Sequence, residues 1–461
     1  MNKKENKDNK FVLDMTEGSP LKLLLSFTVP LLVGNLFQQF YNLVDSVVVG
    51  QFVGPNALGA VGATSSLNFL IVSLVIGLSV GIGIIVAQYF GAGNEAMVKK
   101  TIANSAYIVA ASAIFMSCVG FFAAKPVLQL LDTPAEILGD SVTYMRITSL
   151  GIMAVAGFNL ISSILRALGD SKTPLKFLIV ACIINIILDL VFVIVFEWGV
   201  MGVAVATAIA QVIAAVCCLI YAYRSTTYFR LSKSDFRFEK EILNKTVRVG
   251  LPVAAQNAMI AFSLVALQKV VNGFGENFVT AFTVVSRIEQ IVQQPFMSLG
   301  SALATYTGQN VGAGKIDRVK KGFWTATKVS TVFSLVILVI FQVFAPYIVS
   351  IFGNDPKVME YAVTGIRITS CCYVFLGLIY TTRNVLNGAG DAGFSVMTGI
   401  VEVIGRVGFA KPLTLIPAIG MNGVFVTTGL TWFLNGTISL IRYKKGKWKE
   451  KAVIRAKVVE A

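Results

Sequence analysis

Long apolar stretches alternate with short polar connections along almost the whole chain. A helix needs about 20 apolar residues to cross roughly 30 Å of hydrocarbon. Twelve stretches reach that length, at 21–50, 57–87, 101–123, 140–166, 174–197, 200–223, 243–272, 278–308, 322–345, 359–385, 394–415 and 421–442. The pattern predicts an all-α polytopic membrane protein, and the longer stretches predict tilted or kinked helices.

The second half of the chain repeats short motifs of the first half. Gln-x-x-Gly-Ala-Gly at 88–93 returns at 309–314, and Arg-Ile-Thr at 146–148 returns at 367–369, in both cases 221 positions later. Because each copy holds six helices, an even number, we expect two lobes related by a pseudo-two-fold axis along the membrane normal. The predicted segments are an arm at 1–18, an N-lobe at 19–223, a linker at 224–248, a C-lobe at 249–443 and a basic tail at 444–461.

Composition agrees with a membrane location. The mean hydropathy is +0.75 and only 14% of residues are charged, whereas soluble proteins have about 25%. Most of the 39 Lys and Arg fall in the arm, the linker, the tail and alternate connections, while the opposite connections contain only Lys125, Lys357 and Lys411. The positive-inside rule therefore places both termini in the cytoplasm, and we expect a multi-pass protein of a bacterial inner (plasma) membrane.

The charge also limits the possible partners. Topology and anionic lipid headgroups account for the net charge of +15, so membrane lipids are expected as partners and nucleic acid is not. The arm lacks both the apolar segment and the small-residue cleavage site of a signal peptide, so we expect no cleaved signal peptide. We also expect a monomer.

Histidine is absent and the six cysteines lie inside apolar stretches without metal-ligand spacing. This composition argues against an intramembrane enzyme, because it lacks the usual triad, relay and metal groups. Two similar six-helix halves are typical of secondary transporters. Because no nucleotide-binding motif is present, we expect transport to be driven by an ion gradient. We therefore expect no cofactor beyond a coupling ion.

The most informative residues are charges inside apolar helices, since each costs roughly 2.5–3.5 kcal/mol at the bilayer centre. Asp45 lies in the first span and Asp189 in the fifth, where Asn185 precedes it by one helical turn. Asn159 in the fourth span and Thr207 in the sixth add neutral oxygens, although such residues also form ordinary helix–helix hydrogen bonds. No basic residue of this half lies at the depth of the acids. Together these side chains predict a site for a proton or a sodium ion, and the sequence favours neither.

These motifs resemble the multidrug and toxic compound extrusion (MATE) family over residues 19–443. The resemblance rests on the two-lobe plan, the paired Gln-x-x-Gly-Ala-Gly motifs, Val-Asp-Ser-Val-Val-Val-Gly at 44–50 and Leu-Arg-Ala-Leu-Gly-Asp at 165–170. In the DinF-like branch of that family, an N-lobe cation site uses positions that match Asp45, Asn185, Asp189 and Thr207, with Asn159 as a less secure match. The resemblance implies an exporter that exchanges drug-like organic cations or amphiphiles for protons or sodium.

The C-lobe departs from the NorM-like branch of the family, because acids expected on the seventh and tenth spans are missing. It carries Glu289, Glu402 and Arg406 instead, and Arg406 occupies the repeat position of Asn185. Glu402 and Arg406 could neutralise each other, or an acid could face the cleft and attract a cationic substrate. This pattern looks most similar to the MepA-like subgroup, which implies organic cations as substrates.

A drug cavity requires apolar and aromatic walls with few charges. The predicted wall residues are Gln38, Tyr41, Met153, Gln256, Met259, Glu289, Phe296 and Arg406, and the predicted hinge is Pro30, which removes a backbone bond from the first span. Gly77, Gly81 and Gly83 lie within an apolar helix and predict close helix packing or kinks, not a phosphate-binding loop. A flippase for lipids or lipid-linked saccharides is the alternative function, although it would call for more cavity arginines. A major-facilitator transporter would carry a different repeat motif.

Overall fold

The computed structural model describes residues 13–454, and all regular structure in that range is helical. Helices satisfy their backbone groups internally, which apolar spans require in a bilayer. The α-helices are α1 Pro20–Val48, α2 Pro55–Gly91, α3 Glu95–Leu130, α4 Ala135–Leu150, α5 Ile152–Ala167, α6 Lys172–Leu190, α7 Gly199–Ser225, α8 Lys240–Val271, α9 Glu276–Gly312, α10 Ile316–Ser350, α11 Pro356–Ser370, α12 Tyr373–Gly388, α13 Gly393–Thr414 and α14 Gly423–Lys444.

Each predicted span corresponds to a helix or to a bent helix pair. Within residues 13–454, nine helices are long and apolar enough to cross a membrane, and two bent pairs raise the number to eleven. The pairs are α4 with α5, bent by 44°, and α11 with α12, bent by 50°. The remaining predicted span, 278–308, forms the continuous helix α9, whose polar residues keep it below that apolar threshold. The all-α polytopic fold is confirmed.

The chain divides into two compact units. The first comprises residues 13–15 and Val29–Ala254, and the second comprises Thr16–Thr28 and 255–454. Two helices pass from one unit to the other, α1 between residues 28 and 29 and α8 between residues 254 and 255. Pro30 and Pro252 therefore lie within two residues of these crossing points.

In the first unit, glycines allow two helix backbones to touch. A Cβ atom on Gly77 would lie 2.6 Å from the Cβ atom of Ala254, and one on Gly81 would lie 2.7 Å from the backbone nitrogen of Gly250. The glycines of α2 thus make room for the start of α8, which is the close packing expected from the sequence.

In the second unit, aromatic rings fill the core. Phe278, Phe296, Tyr373, Phe425 and Trp432 are almost fully buried and belong to one apolar cluster. Gly365 of α11 lies directly against the Phe425 ring, where a Cβ atom would come within 2.6 Å of it. Burial of this apolar surface holds α9, α11, α12 and α14 together.

The repeated Gln-x-x-Gly-Ala-Gly motifs end α2 and α9. Gly93 and Gly314 have positive φ angles of 68° and 72°, a conformation that favours glycine. The backbone N–H groups of the residues before them, Ala92 and Ala313, donate to the carbonyls of Gln88 and Gln309. The motif is therefore a helix-terminating turn, and the same turn recurs in both units.

Candidate cation-binding site

Asp45 and Asp189 lie near the ends of α1 and α6, and each helix then changes its winding. Helix α1 continues into a π-helical turn at Val49–Val53, and α6 continues into another at Val191–Val195. The two turns contact each other. They pack in a buried cluster of Val48, Val49, Ala57, Val193, Val200 and Val203. Because π-helical turns are frequent at functional sites, the contact between these two turns makes the neighbouring acids candidates for a functional site.

The two carboxyl groups lie next to each other. Asp45 and Asp189 interact through their side chains, and the Oδ1 atom of each is buried without a hydrogen-bond partner. Asp189 is 1% exposed, whereas Asp45 is partly exposed. Two carboxylates can bond to each other only through a shared proton or a common cation, since both accept and neither donates when ionised. Two adjoining carboxyl groups of this kind are chemically suited to a shared proton or a common cation.

Asn185 and Thr207 extend the pair into a network. In the amide orientation that we assign from its neighbours, Asn185 donates to Asp189 Oδ2 at 2.9 Å and accepts from the Thr207 backbone N–H at 3.2 Å. The Tyr41 hydroxyl lies 3.5 Å from Thr207 Oγ1. Helices α1, α6 and α7 thus bring five of the predicted residues into one polar cluster: Tyr41, Asp45, Asn185, Asp189 and Thr207.

Within residues 13–454, neither acid has a fixed basic partner. The ion pairs formed within residues 13–454 involve other side chains. The same part of the chain contains no group of three or more His, Cys, Asp and Glu side chains suited to a metal ion. Carboxylate, amide and hydroxyl oxygens are hard ligands, which suit a proton or sodium better than a soft transition metal.

Tyr144 is a further member that sequence reasoning did not identify. Its phenol, on α4, interacts electrostatically with both Asp45 and Asp189, and its ring packs against the valine cluster of the π-helical turns. A tyrosine in an apolar helix is usually a packing residue, so no sequence pattern indicates this role.

Asn159 lies apart from this hydrogen-bond network. Its side-chain amide donates to the Val155 carbonyl on its own helix at 2.8 Å. The structure thus brings Asp45, Asn185, Asp189 and Thr207 together and places Asn159 in a local helical hydrogen bond.

The predicted wall residues have different surroundings. In the first unit Gln38 and Met153 are exposed, whereas Tyr41 belongs to the polar cluster. In the second unit Gln256 is buried and donates to Thr398 Oγ1, and Met259 packs against Gly399. Phe296 is 2% exposed and stacks on the Tyr380 ring, so in this structure it is part of the core.

Two of the three predicted charges of the second unit, Glu402 and Arg406, are enclosed. Arg406 Nη2 lies 3.3 Å from Glu402 Oε2, and both side chains are 8% exposed. Glu289, on α9, is partly exposed and interacts electrostatically with Arg406. Pro30 lies inside α1, one residue beyond the point where that helix enters the first unit.

An internally repeated helical membrane fold with an acid pair inside it is typical of a membrane transporter. The MatE family model matches residues 30–191 and 252–410, which together exceed half of the chain. The chain belongs to the MatE family, which confirms the resemblance noted from the sequence. Members of this family are membrane transporters, so the protein is a transporter and not an enzyme.

Several proteins are similar over most of the chain. The probable multidrug resistance protein YpnP of Bacillus subtilis is 29% identical over 439 residues, covering 95% of this chain and 97% of YpnP. The multidrug export protein MepA of Staphylococcus saprophyticus is 22% identical and covers 91% of both chains. A FAD transporter of Shewanella oneidensis is 25% identical over 381 residues, covering 79% of this chain and 82% of its own.

A solved structure has the same fold. It is the outward-facing conformation of a multidrug resistance MATE family transporter of the MOP superfamily, with a TM-score of 0.89 and 23% identity. The likeness covers 96% of this chain and 99% of that chain.

Proposed function

We propose that the protein exports organic cationic or amphiphilic drugs in exchange for protons or sodium ions. The observation that carries this proposal is the adjoining pair Asp45 and Asp189, which lies in apolar helices without a basic partner. Membership of the MatE family and the names of YpnP and MepA support the substrate class.

The proposed mechanism links the ion to the drug through α1. A cation that enters the first unit neutralises Asp45 and Asp189, and α1 then changes its bend at Pro30. Such a change can displace a drug only if the ion has different affinities for the two conformations. Asn185, Thr207 and Tyr41 orient the acids or supply further oxygens to the ion. We keep Asn159 as an additional proposed ligand, which would first have to leave its helical hydrogen bond.

The proposed setting is a bacterial inner membrane, with both termini in the cytoplasm and basic segments next to anionic lipid headgroups. The arm at 1–18, the lobes at 19–223 and 249–443, the linker at 224–248 and the tail at 444–461 are the proposed functional segments. The proposed drug-contacting residues are those of the predicted wall, and the transporter works as a monomer.

Transport in proteoliposomes tests the proposed coupling. With an imposed proton or sodium gradient, the wild type accumulates ethidium, whereas Asp45→Asn and Asp189→Asn lower the rate to below about a tenth because the exchangeable charge is lost. Asp140→Asn, on an exposed position of α4, serves as the control and retains wild-type rates. If Asp45→Asn and Asp189→Asn both retained gradient-driven transport, the assignment of the acid pair as the coupling site would be wrong.

A second substrate class is favoured by one observation. The relative named FAD transporter matches 79% of this chain, which raises a flavin dinucleotide as a candidate substrate. An anionic dinucleotide would require a positive group, and the buried Arg406 is the candidate. Counterflow of FAD and ethidium in the same vesicles decides between the two classes, since only the true substrate drives exchange of a labelled one.

A further inference from the structure

A groove lies on the second unit beside the first turn of α1. It is lined by Leu21 of α1 and by Thr325, Lys328, Val329 and Val332 of α10, and all five residues belong to the second unit. Its volume of about 470 Å³ falls within the roughly 300–1,000 Å³ that is typical of small-molecule sites. Most of its wall is apolar, and Lys328 is the charged residue of the lining. We call this feature the α10 groove.

Lys328 is a cation inside an apolar helix. It lies six residues inside the span predicted at 322–345, or ~9 Å along the helix axis. Its side chain is exposed, and no acid within residues 13–454 forms an ion pair with it. Helical side chains tilt toward the N-terminus, so in the proposed topology its ammonium group lies toward the cytoplasmic side. A lysine at this depth is costly unless it reaches a polar or negative partner.

In the first unit, the linker covers the corresponding face of α3. Lys100 pairs with Glu239 at 3.0 Å, and the Asn104 side chain accepts from the Glu239 backbone N–H at 2.8 Å. Two turns beyond Lys100, the Tyr107 ring packs edge-on against the Phe236 ring, with centroids 6.4 Å apart. The linker thus supplies an anionic oxygen and an apolar group to this face. The repeat positions of these three α3 residues on α10 are Lys321, Thr325 and Lys328.

Within residues 13–454, the second unit does not cover its own face in this way. The repeat position of Glu239 is Glu17, at the 222-residue offset that also relates the prolines inside α1 and α8. Glu17 is exposed and forms no ion pair. The arm instead makes its contact just before α10 begins, where Lys315 donates to the Thr16 carbonyl at 3.1 Å. The face that holds the α10 groove therefore stays open.

The charges near the α10 groove are mainly positive. Lys321 and Lys328 are both exposed and lie two helical turns apart on one face of α10. Asp317 interacts electrostatically with Lys321, but its ion pair is with Lys320 at 2.7 Å. Lys22, next to Leu21 on α1, adds a further exposed cation. The groove thus combines an apolar wall with a basic rim.

We propose that the α10 groove binds one anionic phospholipid of the cytoplasmic leaflet. Lys321 and Lys328 hold its phosphate group, and an acyl chain lies along Val329, Val332 and Leu21. Such a lipid gives the second unit the two groups that the linker gives the first, an anionic oxygen and an apolar surface. Basic pockets between membrane helices on the cytoplasmic side suit anionic headgroups. This inference uses the proposed topology but involves neither the coupling ion nor the drug.

Lipid binding to the purified full-length protein tests the assignment. Native mass spectrometry resolves the protein with one bound lipid, so dissociation constants can be compared for anionic phosphatidylglycerol and zwitterionic phosphatidylcholine. For Lys328→Gln we expect the dissociation constant of phosphatidylglycerol to rise about fivefold, equivalent to about 1 kcal/mol. The dissociation constant of phosphatidylcholine should stay within about twofold, because the apolar wall is unchanged.

Matched variants separate this site from the general attraction of a basic protein for anionic lipid. Lys233→Gln removes an exposed lysine from the linker and should leave both dissociation constants at wild-type values. Lys328→Arg keeps the charge and should keep the preference for phosphatidylglycerol. An excess of inorganic phosphate should not displace the lipid, because phosphate has no acyl chain to bury.

Thermal unfolding in detergent excludes a folding defect as the cause. Without added lipid, Lys328→Gln should unfold at the wild-type temperature, and phosphatidylglycerol should stabilise it less than the wild type because the lipid binds it more weakly. The inference would be overturned if Lys328→Gln bound phosphatidylglycerol as tightly as the wild type, if it lost affinity equally for both lipids, if Lys233→Gln lost as much, or if phosphate displaced the lipid.

Ethidium transport by the same proteins is a separate result. If no gradient drives transport but Lys328 still selects for phosphatidylglycerol, drug export fails and the lipid site stands. If transport proceeds and Lys328→Gln binds both lipids like the wild type, export stands and the α10 groove is not a lipid site.

Discussion

A carboxyl group inside an apolar helix persists only where a neighbour offsets its charge. Asp45 and Asp189 adjoin each other instead of a lysine or arginine, so the compensating charge has to come from outside the chain. An arginine partner would be permanent, whereas a proton or sodium ion can leave. This exchangeability is what the proposed antiport would require of Asp45 and Asp189.

Tyr144 should tune this site without being essential. Its phenol interacts with both acids, and Tyr144→Phe removes only the hydroxyl. We expect gradient-driven ethidium transport to fall about fivefold, because the electrostatic interaction of the phenol with the two acids is lost and a loss of roughly 1 kcal/mol corresponds to a factor of about five in rate. Initial rates in proteoliposomes measure the effect.

Tyr223→Phe is the control for Tyr144→Phe, since Tyr223 is an exposed tyrosine on α7. It should transport at the wild-type rate. If Tyr144→Phe transported ethidium at the same rate as Tyr223→Phe, Tyr144 would not be a functional member of the site.

The acids could be identified from the sequence because a charge is costly in an apolar helix, and Asn185 could be added from its spacing to Asp189. The contact between Asn185, Asp189 and Thr207 in the structure has the geometry that this spacing indicates. Tyr144 could not be identified, because only the packing of α4 against the π-helical turns brings it to the acids. A single sequence does not encode that contact as a pattern.

The close packing of α2 on α8 can be tested by replacing one of the glycines that allow it. A Cβ atom on Gly81 would clash with the Gly250 backbone, so Gly81→Ala should destabilise the protein by about 1–3 kcal/mol. Thermal unfolding in detergent, followed by tryptophan fluorescence, measures the change.

Gly62→Ala provides the comparison on the same helix. No atom lies within 4 Å of a Cβ atom placed there, and alanine favours helix over glycine by roughly 0.5–1 kcal/mol. Gly62→Ala should therefore unfold at the same temperature as the wild type or slightly higher. Equal destabilisation by both substitutions would mean that the contact of α2 with α8 does not decide stability.

Helix α1 should depend on Pro30 for movement more than for stability. Proline removes one backbone hydrogen bond, so Pro30→Ala restores that bond and straightens the helix by removing a break that costs about 3 kcal/mol. We expect ethidium transport to fall at least tenfold while thermal stability is kept or raised. Pro126→Ala, at an exposed position inside α3, is the control: by the same argument it keeps or raises thermal stability, but it should leave the rate of ethidium transport at the wild-type value.

The sequence predicted where helices occur better than how they bend. The spans 140–166 and 359–385 read as continuous apolar stretches, but the chain breaks at Gly151 and at Cys371–Cys372. Hydropathy reports only the solvent that a segment prefers, whereas bends depend on backbone geometry and on neighbouring helices. Backbone geometry and neighbouring helices also decide where a helix stays continuous, so α9 is one long helix although it contains charged residues.

The molecule is a duplication whose two copies have diverged in charge. In the first unit the adjoining acids Asp45 and Asp189 have no basic partner among the described residues. In the second unit Glu402 and Arg406 form a fixed ion pair, and Glu289 lies beside it. If the guanidinium of Arg406 permanently fills the place of a mobile ion, only the first unit exchanges ions. Drug transport is then coupled to a single ion site. The ion affects a drug bound elsewhere only by changing the conformation of the protein.

This linkage has a quantitative consequence for the intact transporter. If ion and drug favour opposite conformations, a saturating coupling ion should weaken tetraphenylphosphonium binding by about 5- to 150-fold, and saturating drug should weaken ion binding by the same factor. Fluorescence titration of the purified protein measures the first factor, and calorimetry of ion binding measures the second.

Equality of the two factors is a thermodynamic requirement for a linked pair of equilibria, so it tests whether the ion and the drug act through one two-state element. In Asp45→Asn combined with Asp189→Asn, the ion should no longer affect drug binding, because its site is gone while the drug site remains. An ion effect that survives in this double variant would place the coupling outside the acid pair. A wild type whose drug affinity ignores the ion would show that the two are not exchanged at all.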